Sequence, residues 1–287
     1  MDMINNIYNS DRNAVNMQKI RNRIVYYQFS SFQKYSPGLR HLITTRIRGY
    51  SQKPYDTLNI GLHVGDKKDD VVRNRKLVCQ TLGYDVDSMI AMQQSHTANV
   101  RVIDGHYKGR GAREWEDGIE NTDAIVTDSK DIILSGMAAD CSLNILYEPV
   151  KRVLAVCHSG WKGIVSGILR NTISEMVKTF NCRREYIRVG IGPVICSKCY
   201  EVGDDLIDAM ECSFPSGIDS ILSKTEKGSR SINLVNALHI QLCDEGIKPG
   251  HIELSNICNA CRIDEFYSYR NENGITGRFG LFAVLSY

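Results

Sequence analysis

Residues 138–163, AADCSLNILYEPVKRVLAVCHSGWKG, contain two apolar runs, each with a chemically reactive side chain at one end. The runs SLNILYEP and RVLAVCHSG are rich in Leu, Ile and Val and are bounded by turn residues, which predicts two successive β-strands. Cys141 directly precedes the first run, and His158 lies at the end of the second. The segment therefore predicts a sheet that carries a thiol and an imidazole at strand ends, where they can serve as packing residues, as nucleophile and base, or as two metal ligands.

The overall composition is that of a globular protein. The 287 residues are 43% hydrophobic, and 35 basic against 33 acidic side chains give a net charge of +2. This balance argues against nucleic acid as a partner. The start, MDMINNIYNSDRNAVNMQKIRNR, is polar, and no run reaches the ~20 apolar residues that span a membrane. These features predict a cytoplasmic protein with no membrane partner, whose ten cysteines are reduced.

The remaining segments predict a mixture of strands and helices without a regular βαβ alternation, which favours a single α+β domain over a doubly wound sheet. Runs such as IVYYQFS, HLITTRI, DAIVTD and YIRVGIGP predict strands, whereas DDVVRNRKLVCQTLGY, residues 163–180, VGDDLIDAMECSF and LVNALHIQLCDEG have helical spacing. Residues 105–122, rich in glycine and charge, predict a surface loop that could act as a lid over a pocket. Asn273-Gly274 predicts a hairpin near the end.

Three side chains of metal-ligand type lie where predicted strands meet turns: His96 in QQSHTANV, Cys141 in MAADCSLN and His158 in AVCHSGWKG. Zinc prefers nitrogen and sulfur ligands, and three protein ligands leave a fourth position for water or substrate, as in catalytic zinc sites. The spacings of 45 and 17 residues fit no local motif, so three separate turns would have to converge. Two alternatives stay open: structural histidines with a buried cysteine, and a hydrolase in which Cys141 is the nucleophile and His158 the base.

Two further cysteine pairs have the C-x-x-C spacing of metal ligands, Cys196-Ser-Lys-Cys199 and Cys258-Asn-Ala-Cys261. The two pairs are 58 residues apart, where zinc ribbons use about 15–20. We therefore expect that they do not form a shared site.

Polar candidates for substrate binding are four arginines beside predicted turns: Arg46, Arg75, Arg270 and Arg278. A planar guanidinium suits phosphate or carboxylate recognition, although most arginines lie on a surface or cap a helix. Asp140, beside Cys141, could orient a metal ligand or accept a proton, or it could be an ordinary turn residue.

Motifs spread over most of the chain carry a resemblance to a known family: TTRIRGYS, PYDTLNIGLHVGD, QQSHTANV, NTDAIVTD, AADC, AVCHSGWKG, GIGPVICSKCYEVGDDL and SYRNENGITGRFG. From about residue 44 to the end, the sequence resembles the laccase-domain purine nucleoside phosphorylases, also described as polyphenol oxidase-like proteins and as a peptidoglycan-editing factor. The resemblance implies a catalytic domain of mixed β-sheets flanked by helices at 31–287, after a polar extension at 1–30. It also implies that His96, Cys141 and His158 bind one metal, zinc or alternatively copper, and that Arg75 is a phosphate-binding position.

The sequence departs from the family pattern at several positions. Leu143 stands where proline is usual, HSGWKG replaces HAGWRG, Arg48-Gly49 partly replaces paired glycines, and Asn271 stands where a second arginine is usual. All three metal ligands are present, so the departures concern substrate contacts more than the metal site.

The activity implied by the resemblance is metal-dependent phosphorolysis of adenosine, inosine and methylthioadenosine, with adenosine deamination in the same pocket. Purine nucleoside and phosphate would be the partners, and Arg75, helped by Arg46, would hold the phosphate. A zinc amidase that edits peptidoglycan precursors would use related chemistry without phosphate. A laccase-type polyphenol oxidase would need several coppers, for which the chain has only 7 histidines. A non-enzymatic protein with a structural metal is the remaining alternative.

Overall fold

The structure is a computed structural model that describes residues 19–225 and 227–286. One six-stranded sheet has the order β1-β2-β3-β14-β7-β4. Its strands, numbered along the chain, are β1 (Lys19–Arg21), β2 (Ile24–Tyr27), β3 (Leu39–Thr44), β14 (Phe279–Leu285), β7 (Ile133–Ala138) and β4 (Met89–Ala91). Neighbours are antiparallel except β4 and β7, which are parallel.

A second six-stranded sheet contains both strands of the segment 138–163 and has the order β13-β10-β8-β9-β6-β5. Its strands are β13 (Ile252–Leu254), β10 (Arg188–Ile191), β8 (Ser142–Glu148), β9 (Val153–Ser159), β6 (Ala124–Thr127) and β5 (Val100–Val102). The outer pairs β10–β13 and β5–β6 are parallel, and the inner pairs are antiparallel. A small antiparallel pair, β11 (Leu222–Lys224) and β12 (Arg230–Ile232), lies outside the two sheets.

Six α-helices occur in the described residues: α1 (Lys68–Leu82), α2 (Trp161–Val165), α3 (Ile168–Phe180), α4 (Asp204–Ser213), α5 (Ile218–Ile221) and α6 (Leu234–Asp244). Short 3-10 helices cover Ser30–Tyr35, Val86–Ser88, Gly105–Tyr107, Arg184–Tyr186 and Pro249–His251. The helix predicted over 163–180 is two helices, because Gly167 adopts φ +81° between α2 and α3. Among the described residues, no helix combines the length and the apolar character needed to cross a membrane.

The sheets pack face to face, with helices on their outer faces. In β14, Phe279 and Leu281 point into the core between the sheets, whereas Phe282 packs toward α1. In β9, Val156 belongs to the core between the sheets and Ala155 to the core under α3 and α6. Both faces of these strands are buried, which is why they read as continuous apolar runs rather than as alternating ones. The predicted α+β fold of mixed sheets and flanking helices in a single domain is confirmed.

Three local expectations change. Of the predicted polar extension 1–30, residues 1–18 lie outside the described residues, and residues 19–30 include β1 and β2, which join the first sheet. The prediction of a hairpin at Asn273-Gly274 is wrong: both residues have the expected positive φ, but residues 269–274 form turns before the single strand β14. The lid prediction is also wrong, since no residue of 105–122 lines the cavity described below and the loop is bonded to β4 through Ala91 and Arg110.

Candidate active site and metal centre

His96, Cys141 and His158 converge from three separate elements. His96 lies in the loop after β4, Cys141 in the turn by which the chain crosses from β7 to β8, and His158 near the end of β9. One ligand atom from each lies within 4.8 Å of the others, and Cys141 Sγ is 3.7 Å from His96 Nε2. A tetrahedral zinc site, with Zn–S of about 2.3 Å and Zn–N of about 2.0–2.1 Å, requires about 3.6 Å between such atoms. The donor set and its spacing therefore fit a single divalent ion.

Local backbone geometry brings these side chains together. Leu143 of β8 pairs with His158 of β9, so the residue just before β8 lies beside the end of β9. His96 holds φ +59°, an uncommon conformation for a residue with a side chain. Gly160 leaves room for the ligands, because a Cβ at this position would stand 2.6 Å from His96 Cδ2 and 3.0 Å from Cys141 Sγ.

Asp123, fully buried just before β6, orients both histidines. Its Oδ1 lies 2.9 Å from His158 Nδ1 and accepts the backbone N–H of His96 at 3.1 Å. Its Oδ2 accepts the N–H and the hydroxyl of Thr97 at 2.7 and 2.8 Å. Because His158 bonds to the carboxylate through Nδ1, its Nε2 is the nitrogen left for a metal, the usual carboxylate–histidine–metal arrangement. The sequence does not mark Asp123 as a site residue, and its place in the motif NTDAIVTD is the only signal for it.

The charges at the site favour a thiolate ligand. Burial raises the pKa of the Cys141 thiol, but the charge of His158 and hydrogen bonds from both histidines outweigh it and lower the pKa to about 6. Burial lowers the pKa of His158, and the Cys141 thiolate and Asp123 reverse this effect and raise it to about 9. The metal-free site thus holds a thiolate beside an imidazolium at neutral pH, and a metal cation would take the place of that proton.

The three candidate ligands open into a cavity of about 520 Å³, a size usual for small-molecule sites. The lining residues are His63, Gln94, Ser95, His96, Met137, Ala138, Ala139, Asp140, Cys141, His158, Trp161, Lys162, Tyr200, Tyr269, Arg270 and Arg278. They combine three cationic side chains with three large aromatic rings. Burial lowers the pKa of His63 to about 4, helped by the charges of Arg278 and Arg75, so its imidazole is neutral at pH 7.

Two of the four predicted arginines line this cavity. Arg278 donates through Nη1 to the carbonyls of Thr276 and Gly277, and packs close to Gly61. Arg270 donates through Nη1 to the carbonyl of Glu201, and its guanidinium lies 5.1 Å from the ring centre of Tyr200.

Asp140 lines the cavity and anchors one of its loops. Its Oδ1 accepts from Ser268 Oγ at 2.6 Å and from Asn259 Nδ2 at 2.7 Å, and its Oδ2 accepts the Arg270 N–H at 2.6 Å. These contacts fix the loop that carries Arg270, which makes Asp140 a positioning residue in this arrangement.

Arg46 and Arg75, the predicted phosphate ligands, do not line the cavity. Arg75 is fully buried on α1, where it donates to the carbonyls of Ile60, Gly111 and Ala112 and contacts Met137 Sδ. Arg46 donates to the carbonyls of Asp56 and Ile263 and pairs with Glu272 at 3.0 Å. The Arg75 guanidinium joins two loops to α1, and the Arg46 guanidinium joins loops to one another. The donors of both groups are directed at protein acceptors rather than at the cavity.

The sequence also leaves most residues of the cavity wall unmarked. His63, Lys162, Tyr200 and Tyr269 all lie within family motifs, but nothing in their spacing distinguishes them from surface residues. The expectation that the two C-x-x-C pairs stay apart is wrong, since the four sulfur atoms lie within 4.8 Å of one another.

Fold and site together define the class: a two-sheet α+β protein with one His₂Cys ligand set at the floor of a cationic, aromatic cavity. The family described as "Multi-copper polyphenol oxidoreductase laccase" matches residues 40–286, and the chain belongs to this family.

Relatives within the family carry enzyme names. "Purine nucleoside phosphorylase YlmD" of Bacillus subtilis is 35% identical over 82% of this chain and 84% of its own length. "Adenosine deaminase RL5" of an unknown prokaryotic organism is 30% identical over 86% of this chain and 94% of its own. The crystal structure of YlmD from Geobacillus stearothermophilus superposes with a TM-score of 0.88 at 27% identity, covering 95% of this chain and all of that one.

Proposed function

We propose that this protein is a metal-dependent purine nucleoside phosphorylase that also deaminates adenosine. The observation that carries the proposal is the joining of the His96, Cys141 and His158 ligand set to a cavity lined by cationic and aromatic side chains. The names of the relatives from Bacillus subtilis and the unknown prokaryote support the two reactions.

The cavity offers suitable partners for each part of such a substrate. Aromatic faces such as those of Tyr200 and Tyr269 would stack on a purine, whose ring is flat and weakly polar. Arg278, Arg270 and Lys162 would bind phosphate by charge-assisted hydrogen bonds. Phosphate held in line with the ribose C1′ would form the new C–O bond as the glycosidic C–N bond breaks, so catalysis would come from positioning and from stabilisation of negative charge.

His96, Cys141 and His158 would hold the metal. The nitrogen and sulfur donors favour zinc, and copper, in the name of the family, would be the alternative. When bound, such an ion would supply Lewis acidity toward a substrate group or a water. Asp123 would keep His158 in the tautomer that presents Nε2, and Asp140 would keep the Arg270 loop against the cavity.

The experiment is incubation of the purified full chain with adenosine, with and without phosphate and with and without chelator. We expect adenine and ribose 1-phosphate only with phosphate, and inosine without it. His158→Ala should lose one equivalent of metal and both activities, while His106→Ala, at an exposed histidine in the Gly105–Tyr107 turn, should retain them. Full nucleoside cleavage by the metal-depleted His158→Ala protein would contradict the proposal.

Polyphenol oxidation is the second candidate, because the name of the family describes it. Within residues 19–225 and 227–286, only one cluster of potential metal ligands contains histidine, whereas a laccase needs several coppers. Oxygen uptake with a phenol by the copper-loaded protein, and no phosphorolysis, would favour the oxidase. Hydrolysis of a muropeptide amide without phosphate would instead indicate the amidase.

A further inference from the structure

Cys196, Cys199, Cys258 and Cys261 form a second cluster of metal-ligand type, separate from the His₂Cys site. All four are free thiols, and their sulfur atoms lie within 4.8 Å of one another. Cys261 Sγ is 3.9 Å from Cys196 Sγ and 3.4 Å from Cys199 Sγ. Four thiolates around one tetrahedral zinc, at about 2.3 Å each, would be about 3.8 Å apart, whereas a disulfide requires about 2.05 Å. The spacing therefore fits a single ion better than two disulfides.

The fold explains how pairs so distant in sequence meet. β10 and β13 are parallel neighbours, with Ile191 opposite Leu254, so the chain leaves both strands at the same edge of the sheet. The two segments that follow these strands stay side by side, because the N–H of Val194 donates to the carbonyl of Ile257 at 3.1 Å. Each C-x-x-C turn comes a few residues after its strand. The distance between the two cysteine pairs is therefore set by the pairing of the strands and not by the 58 residues between the pairs.

Two backbone N–H groups are directed at one sulfur atom of the cluster. The backbone N–H groups of Cys196 and Cys261 both donate to Cys258 Sγ, at 3.2 and 3.4 Å. A neutral thiol is a weak acceptor, whereas a metal-bound thiolate carries negative charge and attracts N–H donors. Two backbone donors directed at one sulfur are thus an observation independent of the sulfur spacing.

We propose that these four cysteines bind one structural zinc ion that holds together two loops of the active-site wall. With four protein ligands, the ion has no open position for a substrate, in contrast to the His₂Cys site. Cys196 is buried and Cys261 is exposed, so the ion can enter from solvent.

Each loop tied by the ion leads to the cavity. Tyr200, which lines the cavity, follows Cys199 directly. Asn259, between Cys258 and Cys261, donates Nδ2 to Asp140 Oδ1 and to the carbonyl of Tyr267. The zinc would therefore fix the position of Tyr200 relative to Asp140 and the loop of Arg270.

Metal content of the zinc-loaded, desalted full chain tests the proposal. We expect two zinc equivalents in the wild type, one in His158→Ala, one in Cys261→Ser and none in the double variant. Cys212→Ser, at an exposed cysteine on α4, is the matched control and should keep two. Cys261→His should restore the second equivalent, because imidazole is also a zinc ligand and position 261 is exposed.

Cobalt loading gives a readout that does not depend on the Cys261 variants folding. Cobalt-loaded His158→Ala should show intense thiolate-to-cobalt charge-transfer absorption from the four-cysteine site alone. Absence of this absorption, or two zinc equivalents in folded Cys261→Ser, would overturn the proposal. An enzymatically inactive wild type that still binds zinc at the four cysteines would contradict the proposed function and leave this inference standing.

Discussion

The carboxylate of Asp123 lies 2.9 Å from His158 Nδ1 and accepts the backbone N–H of His96 at 3.1 Å, so one buried side chain orients both histidines of the candidate metal site. It also accepts three donors from Ser95 and Thr97, which fix the loop that delivers His96. Burial raises the pKa of Asp123, but the hydrogen bond and charge of His158 outweigh this and lower it, so the group is an anion at neutral pH. The site is therefore organised as much by β6 as by the elements that carry the ligands.

Replacing the Asp123 carboxylate should weaken metal binding without removing a ligand. In Asp123→Asn the amide cannot supply the negative charge that supports His158, and we expect the zinc affinity of this site to fall about 10–100-fold. Chelator competition measures the affinity. Asp128→Asn, at an exposed aspartate just after β6, is the control. Equal affinities in the two variants would show that Asp123 has no role in metal binding.

The sequence predicts strands well where both faces are buried, because β8 (SLNILYE) and β9 (VLAVCHS) are short, largely apolar segments bounded by turn residues. It predicts helix ends less well. The break at Gly167 depends on a positive φ that glycine permits but does not require. Asn273-Gly274 takes the backbone conformation expected of a hairpin turn, yet no strand directly precedes it. Residues 269–274 form turns instead, and Asp140 holds this segment by accepting the N–H of Arg270.

The candidate site, like the fold, can be predicted from the sequence only in part. His96, Cys141 and His158 can be chosen from residue type and position at strand ends, but their convergence depends on the crossing between two sheets. The spacing of the cysteine pairs predicts that they stay apart, because sequence spacing does not reveal that β10 and β13 are parallel neighbours. Arg75 and Arg278 look alike in sequence, and only tertiary contacts show that the first is bound by carbonyls and the second lines the cavity.

Arg278 should contribute to phosphate binding. In Arg278→Met the cavity loses a cation, and we expect the KM for phosphate to rise at least about 10-fold, equivalent to about 1.4 kcal/mol. Steady-state phosphorolysis with varied phosphate measures this, and phosphate-independent deamination should persist. Arg101→Met, on the edge strand β5 away from this cavity, is the control. An unchanged KM for phosphate in Arg278→Met would assign phosphate to other residues.

Arg75 should affect stability rather than phosphate binding. Arg75→Met leaves the buried carbonyls of Ile60, Gly111 and Ala112 without donors, and we expect a loss of about 3 kcal/mol or more in the free energy of unfolding. Urea unfolding measures the loss, and Lys76→Met, at the exposed next position of α1, is the control. Normal stability combined with a raised KM for phosphate would instead support the role implied by the resemblance.

His41 should make the protein sensitive to acid. Burial, helped by the charge of Lys19, lowers the pKa of His41 to about 3, and its Nε2 accepts the N–H of Phe29 at 2.8 Å. Below pH 6.5 the unfolded chain binds a proton at His41 that the folded chain excludes. The free energy of unfolding therefore falls as the pH drops from 6.5 toward 3, by up to about 5 kcal/mol. Unfolding free energies between pH 7.5 and about 4.5, at fixed zinc, should fall less steeply in His41→Gln, whose amide oxygen accepts the same N–H without titrating. His106→Gln should keep the wild-type slope, and an equally steep slope in His41→Gln would contradict the assignment.

The absence of a side chain at Gly160 should be necessary for His96 and Cys141 to bind the same metal. Its backbone, at φ −79° and ψ 166°, is open to any residue, so Gly160→Ala adds only a methyl group and no backbone strain. That methyl would stand 2.6 Å from His96 Cδ2 and 3.0 Å from Cys141 Sγ, which forces at least one ligand to move. We expect at least about 10-fold weaker zinc binding at the His₂Cys site, since ligand positions must hold to a few tenths of an ångström. Gly250→Ala, where an added Cβ meets no atom within 4 Å, should leave metal content unchanged. Because the four-cysteine cluster lies outside this crowded turn, the zinc equivalent bound there should remain in both variants. Unchanged zinc affinity of the His₂Cys site in Gly160→Ala would show that the three ligands do not meet as described.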